Sequence, residues 1–261
     1  MPLTKLIGLL LVVSFGPACA SLTQPETLSV GGSTSYASSY WFRGAPVNAR
    51  PVIQGDFGAS VNTDDNGSLS LSTWYNFDGS NSTGSAFSPN GNGGEITEVD
   101  YVLDYSRNFG SVGASLGLIS YNFPNGVGNS TTEAYLGLSS QWLGFSQAAT
   151  LYYDFDNVNG SYLSLQGSKS FQLAERTSLN LSVLLGYMDE NQSNFYFGNS
   201  IVGLSDISAT ANLSYTLDEN SSLFVSVTGV RPLENEFEDA LQAAGVEDSA
   251  VIGSIGISWS F

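Results

Sequence analysis

Apolar and small polar residues alternate along the carboxyl-terminal end of the chain. Within residues 251–261, the odd positions carry mostly large apolar side chains, whereas the even positions from 254 onward carry only serine and glycine. Because successive side chains of a β-strand point to opposite faces, this pattern predicts a strand with one apolar face and one small, polar face. A soluble sheet can contain such a strand, but repetition along the whole chain is typical of a transmembrane β-barrel.

The same alternation recurs at nearly regular spacing through the chain. The first segment is predicted to run from Leu28 to Phe42, and the clearest later segments cover residues 52–61, 69–77, 179–187 and 207–217. Altogether about twelve strands are predicted, an even number, as single-chain bacterial barrels have when both termini lie on one side of the membrane.

Short and long connections alternate between these segments. The short connections carry turn signals such as Asn-Gly and Asp-Glu-Asn-Ser, and they are predicted to be periplasmic turns. The long connections match the extracellular loops of outer-membrane barrels, and they cover residues 78–94, 123–131, 188–203 and 231–250.

The last of these loops contains a helical pattern. Phe237, Leu241 and Ala244 follow one another at helical spacing, and Gly245 is a stop signal. We therefore expect a short extracellular helix within residues 235–245, either over the mouth of the barrel or packed on the surface.

Aromatic residues concentrate where this topology places the two membrane interfaces, the zone that amphipathic rings favour. The outer group is Tyr40, Trp41, Phe42, Tyr75, Phe77, Tyr121, Phe123, Tyr153 and Phe155, and the inner group is Tyr105, Trp142, Phe171, Tyr215, Trp259 and Phe261. Aromatic pairing inside a soluble β-sandwich is the alternative interpretation. The alternating loop lengths and the amino-terminal signal described next favour the barrel.

The amino terminus has the features of a secretory signal peptide. Lys5 precedes an apolar run over residues 6–15, and residues 18–20 (Ala-Cys-Ala) form a small-residue cleavage site. The run is too short to span a bilayer as a helix. Acylation of Cys19, as in a lipoprotein, would require an aliphatic residue where Gly16 stands. We expect cleavage after residue 20, which removes the one cysteine.

Composition excludes several classes of function. The chain has 24 acidic and 7 basic residues, a formal net charge of −17, and no histidine. Such a charge argues against nucleic acid as a partner. The absence of histidine argues against a histidine-assisted hydrolase and removes the commonest zinc ligand. Glu98 and Asp100 could in principle form an acid–base pair, but nothing near them predicts a substrate pocket. We therefore expect no enzymatic activity and no cofactor or metal site.

The fold class is therefore predicted to be all-β. We expect one antiparallel up-and-down transmembrane β-barrel of about twelve strands over residues 21–261, after a signal peptide at residues 1–20. The predicted location is the bacterial outer membrane.

Several short motifs are spread over the mature chain. They are Ser39-Tyr40-Trp41-Phe42-Arg43-Gly44, Pro51-Val52-Ile53-Gln54-Gly55, Glu98-Val99-Asp100-Tyr101, Tyr121-Asn122-Phe123-Pro124, Thr132-Glu133-Ala134-Tyr135, and the terminal Trp259 and Phe261. In these motifs the chain resembles the TorF-type porin family of Gram-negative outer-membrane β-barrels. The resemblance implies an outer-membrane barrel that acts as a porin, and it implies no catalytic residues.

Charged side chains on the inward face are the candidate pore-lining residues. Strand parity predicts that this face carries Arg43, Asp56, Glu98, Asp100, Asp104, Glu133, Asp154 and Asp206. Acidic groups on a lumen wall raise the local concentration of cations, so we expect a cation-leaning pore. Alternatively, these acids could lie in water at strand ends, or pair with Arg43 and fill the barrel. Inward aromatic and aliphatic residues could narrow the bore, namely Trp74, Ile119, Tyr121, Tyr135, Tyr152, Tyr162 and Phe224.

Together these patterns predict a narrow channel for passive diffusion of ions or small polar solutes. The rival prediction is a non-conducting barrel that acts as an adhesin, receptor or structural anchor through its outer loops. The expected partners are the lipid bilayer, lipopolysaccharide and small polar solutes or cations, and the oligomeric state is left open.

Overall fold

The computed structural model of the chain describes residues 27–63, 67–81, 93–126 and 128–261. The signal peptide predicted at residues 1–20 lies outside these ranges.

Twelve antiparallel strands form a closed barrel, which confirms the predicted fold and strand number. Each strand pairs with its neighbours in the chain, and the ring closes where the first strand pairs with the last. The barrel strands are β1 (Thr27–Ala37), β4 (Val52–Thr63), β5 (Gly67–Asp78), β6 (Ile96–Phe109), β7 (Val112–Asn122), β8 (Thr131–Trp142), β9 (Phe145–Asp154), β10 (Ser161–Ala174), β11 (Thr177–Met188), β12 (Gly203–Thr216), β13 (Ser221–Pro232) and β14 (Ala250–Ser260). Two further strands, β2 (Tyr40–Phe42) and β3 (Ala45–Asn48), form a separate hairpin.

The wall has an apolar outer face and a mostly polar inner face. On strand β7, Leu116 and Leu118 are 57% and 44% exposed, whereas the inward Ile119 is fully buried. The other outward positions around the ring also carry exposed Leu, Val, Ile and aromatic side chains. Such a continuous apolar belt would be unfavourable in water, but it is favourable in the hydrocarbon core of a membrane. Within the described ranges, no helix is long and apolar enough to cross a membrane.

Inward glycines accept aromatic rings from the neighbouring strand. Gly117 on β7 lies directly opposite Tyr135 on β8. A Cβ atom added at Gly117 would lie 2.5 Å from the Tyr135 ring and 2.5 Å from the carbonyl oxygen of Leu103. This glycine therefore makes room for the ring, which contributes to the packed interior.

We expect Gly117→Val to lower the free energy of unfolding by about 1–3 kcal/mol, because the added side chain overpacks this contact. Urea unfolding in liposomes, followed by the mobility shift between folded and unfolded protein on gels, measures the change. Gly229→Val is the matched control, since its Cβ would have open space around it. Equal effects of the two substitutions would contradict the assignment of inward and outward faces.

The first strand is shorter than predicted. The sequence pattern extended it to Phe42, but β1 ends at Ala37, which pairs with Val52 of β4. Residues 38–51 are therefore an insertion at the extracellular rim, and β2 and β3 lie within it. The prediction failed because the Tyr40-Trp41-Phe42 segment continues an extended, aromatic-rich pattern that resembles a barrel strand.

The described parts of the extracellular loops contain two short helices. Helix α1 (Glu190–Phe197) was not predicted, whereas α2 (Asn235–Ala243) confirms the predicted helix. The ring centroids of Phe197 and Phe237 lie 5.0 Å apart, so the helices pack on each other.

Candidate functional site

The hairpin of β2 and β3 crosses the interior of the barrel. It starts between β1 and β4, and its tip reaches strands on the far side of the ring. There the Arg43 guanidinium lies 5.0 Å from the ring centroid of Tyr152 on β9 and 4.5 Å from that of Tyr162 on β10. The hairpin therefore spans the bore rather than extending above the membrane.

The tip is a two-residue turn with an unusual first residue. Arg43 and Gly44 have φ values of 49° and 78°, and Phe42 pairs with Ala45. Positive φ at both central positions is typical of a type I′ turn, which favours Asn-Gly over Arg-Gly. The strained backbone at Arg43 places its side chain at the far wall.

Arg43 forms a buried, bidentate ion pair with Glu133 of β8. Its Nη1 and Nη2 atoms each lie 2.6 Å from a carboxylate oxygen, and Tyr121 donates a hydrogen bond of 3.0 Å to the same carboxylate. Burial by itself lowers the pKa of Arg43, but the Glu133 carboxylate, together with Tyr121 and Tyr196, outweighs this effect and holds the pKa well above its usual value. Arg43 therefore stays charged, and the pair ties the tip to the wall.

Aromatic and amide contacts hold the base of the hairpin. The rings of Tyr40 and Trp74 lie 5.4 Å apart. Asn48 donates a hydrogen bond of 2.8 Å to Asp78, which also accepts from Asn76 at 3.0 Å. These contacts join the hairpin to β5, so it is anchored at both its base and its tip.

Helix α1 covers the hairpin from the extracellular side. The Tyr196 and Phe42 rings lie 5.7 Å apart, and burial raises the pKa of Tyr196 above its usual value. The cavity between the hairpin, α1 and the wall has a volume of only ≈ 10 Å³, room for about one water molecule. The interior between the hairpin, α1 and the wall is therefore closely packed.

The predicted inward residues lie inside the barrel, but they do not form one stripe. Glu98, Asp100, Glu133, Asp154 and Asp206 are buried at the level of the hairpin. There Thr131 donates to Asp154 at 2.6 Å, and Tyr162 donates to Asp206 at 3.3 Å. This arrangement places one base, Arg43, among several acids.

The two remaining acids are half-buried and lie closer to the periplasmic half. Asp56 accepts a hydrogen bond from Ser33, and Asp104 accepts one of 2.5 Å from Tyr135. Each carboxylate has a wall partner and part of its surface open to the lumen.

All seven side chains predicted to narrow the bore are buried. The rings of Tyr135, Tyr152 and Tyr162 form a row across β8, β9 and β10, with centroids 5.7 and 6.1 Å apart. Three aromatic residues assigned to the outer membrane interface, Tyr40, Trp41 and Phe42, belong instead to the hairpin. Tyr40 and Trp41 are 6% exposed, so that assignment was wrong.

Sequence reasoning missed two contributors to the site. Asp78, 1% exposed, was assigned to the long polar connection over residues 78–94. Helix α1 has no apolar face, but Asp189 caps it by accepting a hydrogen bond of 2.9 Å from the Gln192 amide. The spacing of Asp189 and Gln192 resembles a capping box, which could have revealed the helix. Among the described residues, no group of three or more metal-binding side chains could hold a metal ion.

The chain is similar in fold to several solved porins and channels. The KdgM porin in complex with disordered oligogalacturonate has 16% sequence identity and a TM-score of 0.51, covering 89% of this chain and 99% of that chain. The NanC porin has 11% identity and a TM-score of 0.53, with the same coverage of both chains. The COG4313 outer membrane channel from Pseudomonas putida F1 has 12% identity and a TM-score of 0.50, covering 92% and 97%.

At these identities the likeness establishes the fold. The chain has the closed, twelve-stranded barrel fold of these outer-membrane proteins. No protein-family model matches the sequence. The search of curated proteins also finds no match.

The periplasmic half of this barrel has a mostly uncharged, polar interior, in which Asp104 lies opposite Ser70. Strand alternation and register place small hydroxyl and amide side chains on the inward face there, including Ser70, Ser106, Ser139, Ser146, Gln166, Ser168, Ser182 and Thr210. Most of these side chains are partly exposed, so this half of the barrel is open to water below the hairpin.

Proposed function

We propose that this protein is an outer-membrane diffusion channel for ions and small polar solutes. It prefers cations, and the β2–β3 hairpin restricts its bore. The proposal rests on a closed barrel with a polar lower half that carries few charges and an acidic upper half. Barrels of about eight strands are filled by side chains and those of about sixteen leave an open channel, so a twelve-stranded bore is narrow.

The charge inventory of the interior is the observation that carries the cation preference. Among the described residues, Arg43 is the one base inside the barrel, and Glu133 neutralises it. The other described bases, Arg50, Arg107, Lys169, Arg176 and Arg231, lie on loops, turns or the outer face. The remaining interior carboxylates therefore have no basic counterpart, and they attract cations electrostatically.

Reversal potential in asymmetric KCl tests the preference. We expect a potential of the sign that marks K⁺ as the more permeant ion. The double substitution Asp56→Asn and Asp104→Asn should reduce it, because these are the half-buried acids beside the open lumen. Asp218→Asn, at an exposed turn, is the control and should leave it unchanged. A preference for Cl⁻ in the wild-type protein would overturn the proposed selectivity.

One observation favours the alternative of a non-conducting barrel. The hairpin crosses the whole bore and is held by a buried ion pair, and the interior between the hairpin, α1 and the wall is closely packed. Such a barrel would act through its outer loops, as an adhesin, receptor or structural anchor. Planar-bilayer recording separates the two functions. Stepwise currents support the channel, and silence after many verified insertions supports the alternative.

The remaining assignments are parts of the same proposal. Membership of the TorF-type porin family rests on the short motifs that include the hairpin sequence, residues 39–44. Cleavage of residues 1–20 would deliver the chain to the periplasm before insertion. The acidic extracellular loops would face lipopolysaccharide, and we assign the protein no catalytic activity.

A further inference from the structure

The outer wall of the barrel contains a groove near its periplasmic end. It has a volume of ≈ 520 Å³ and crosses the wall from strand β7 to strand β11. Its floor is made of small or polar residues opposite one another, Ser140, Gln147 and Gly167. Larger apolar side chains, including Leu138 and Val183, rise on either side.

The floor of the groove is unusually polar for a surface that faces lipid. The Gln147 carboxamide is exposed on the outer face, next to the Ser140 hydroxyl. In hydrocarbon a polar group is costly unless it is hydrogen-bonded. Gln147 lies two residues from Phe145 at the strand end, about 7 Å along the strand. At this distance from the membrane interface, the ester carbonyls of a lipid can accept a hydrogen bond from the carboxamide.

A single cation lies at the periplasmic end of the groove. Lys169 is on the same face of β10 as Gly167, two residues closer to the periplasm. Its Nζ atom lies 4.3 Å from the Phe145 ring centroid and 5.6 Å from that of Phe171. Among the described residues, no carboxylate lies within 4 Å of Lys169. The ammonium group is therefore held by aromatic rings at the level of the lipid headgroups and is available to an anion.

We propose that this groove binds one anionic phospholipid of the periplasmic leaflet. Lys169 pairs with the headgroup phosphate, Gln147 and Ser140 donate to the ester region, and one acyl chain lies between the apolar walls. Lipid A also carries phosphates, but it occupies the opposite leaflet and cannot place them at Lys169. The site is on the outer face, so it is independent of conduction through the lumen.

Native mass spectrometry of the folded protein in detergent tests this site with phosphatidylglycerol and phosphatidylcholine as probes. The wild-type protein should retain one phosphatidylglycerol molecule and bind it about five-fold more tightly than phosphatidylcholine. This is the gain in affinity expected from one lysine beside an anionic lipid. Lys169→Gln should abolish the preference. Gly167→Leu should reduce retention of both lipids by filling the groove, and its Cβ has open space, so the barrel should still fold.

Arg107→Gln is the matched control. Arg107 is also an outward base near an aromatic ring, 5.4 Å from the Phe109 centroid, but it does not line the groove. This variant should retain phosphatidylglycerol as the wild-type protein does. Equal retention of the two lipids by the wild-type protein would overturn the proposal, as would an unchanged preference in Lys169→Gln. A dimer that Gly167→Leu disrupts would instead show that a second copy fills the groove.

Discussion

Replacing residues 38–51 with an Asn-Gly turn is expected to raise single-channel conductance several-fold. Ala37 and Val52 already pair across β1 and β4, so a two-residue turn can join these strands without disturbing the barrel. The replacement removes the hairpin from the bore and leaves the polar interior of the wall. Planar-bilayer recording of purified protein measures the change.

The control replaces residues 156–159, a largely exposed extracellular segment, with the same turn. This variant should conduct as the wild-type protein does. Unchanged conductance after removal of the hairpin would show that the hairpin does not limit the current. Loss of heat-modifiable gel mobility would identify a variant that has not folded.

Arg43→Met is expected to release the hairpin tip. Breaking a buried ion pair by removing one partner costs about 3–5 kcal/mol, because the other charge stays buried without compensation. A two-stranded hairpin is marginally stable by itself, so this loss should let the tip leave the far wall. We expect larger and noisier currents, approaching those of the protein without the hairpin.

The double variant Arg43→Met and Glu133→Leu should restore the small currents, since an apolar pair of similar volume often replaces a buried ion pair without loss of stability. Arg50→Met removes an exposed base at the end of the same insertion and should have no effect. If the single and double variants conducted alike, the ion pair would not be what holds the hairpin.

The barrel could be predicted from the sequence because its determinants are local. Strand alternation has a period of two residues, and the type of each tight turn depends on a few adjacent residues. The parity of Glu133 and Tyr135 on one strand sufficed to place both inside the barrel. The parity of Leu116 likewise placed it in the lipid-facing wall.

The path of the hairpin could not be predicted because it depends on contacts far apart in sequence. Arg43 and Glu133 are 90 residues apart, and no local pattern shows that they meet. In the sequence, Tyr40 and Trp41 are equally compatible with an interfacial belt and with a buried hairpin. The contacts of the hairpin with the wall opposite β1 and β4 decide between these interpretations, and those contacts are visible only in the folded structure.

Disulfide formation between Gly44→Cys and Asp206→Cys tests most directly whether the hairpin tip docks across the bore. A Cβ atom at Gly44 would lie 2.6 Å from the Asp206 Cβ, so a small shift gives the separation of about 3.5–4.5 Å that a disulfide needs. The one native cysteine, Cys19, lies in the predicted signal peptide. We predict nearly complete oxidation in the folded protein, seen as faster migration of the denatured chain without reductant. Free thiols at both positions, still alkylated by a maleimide after oxidation, would contradict the central claim that the hairpin spans the barrel.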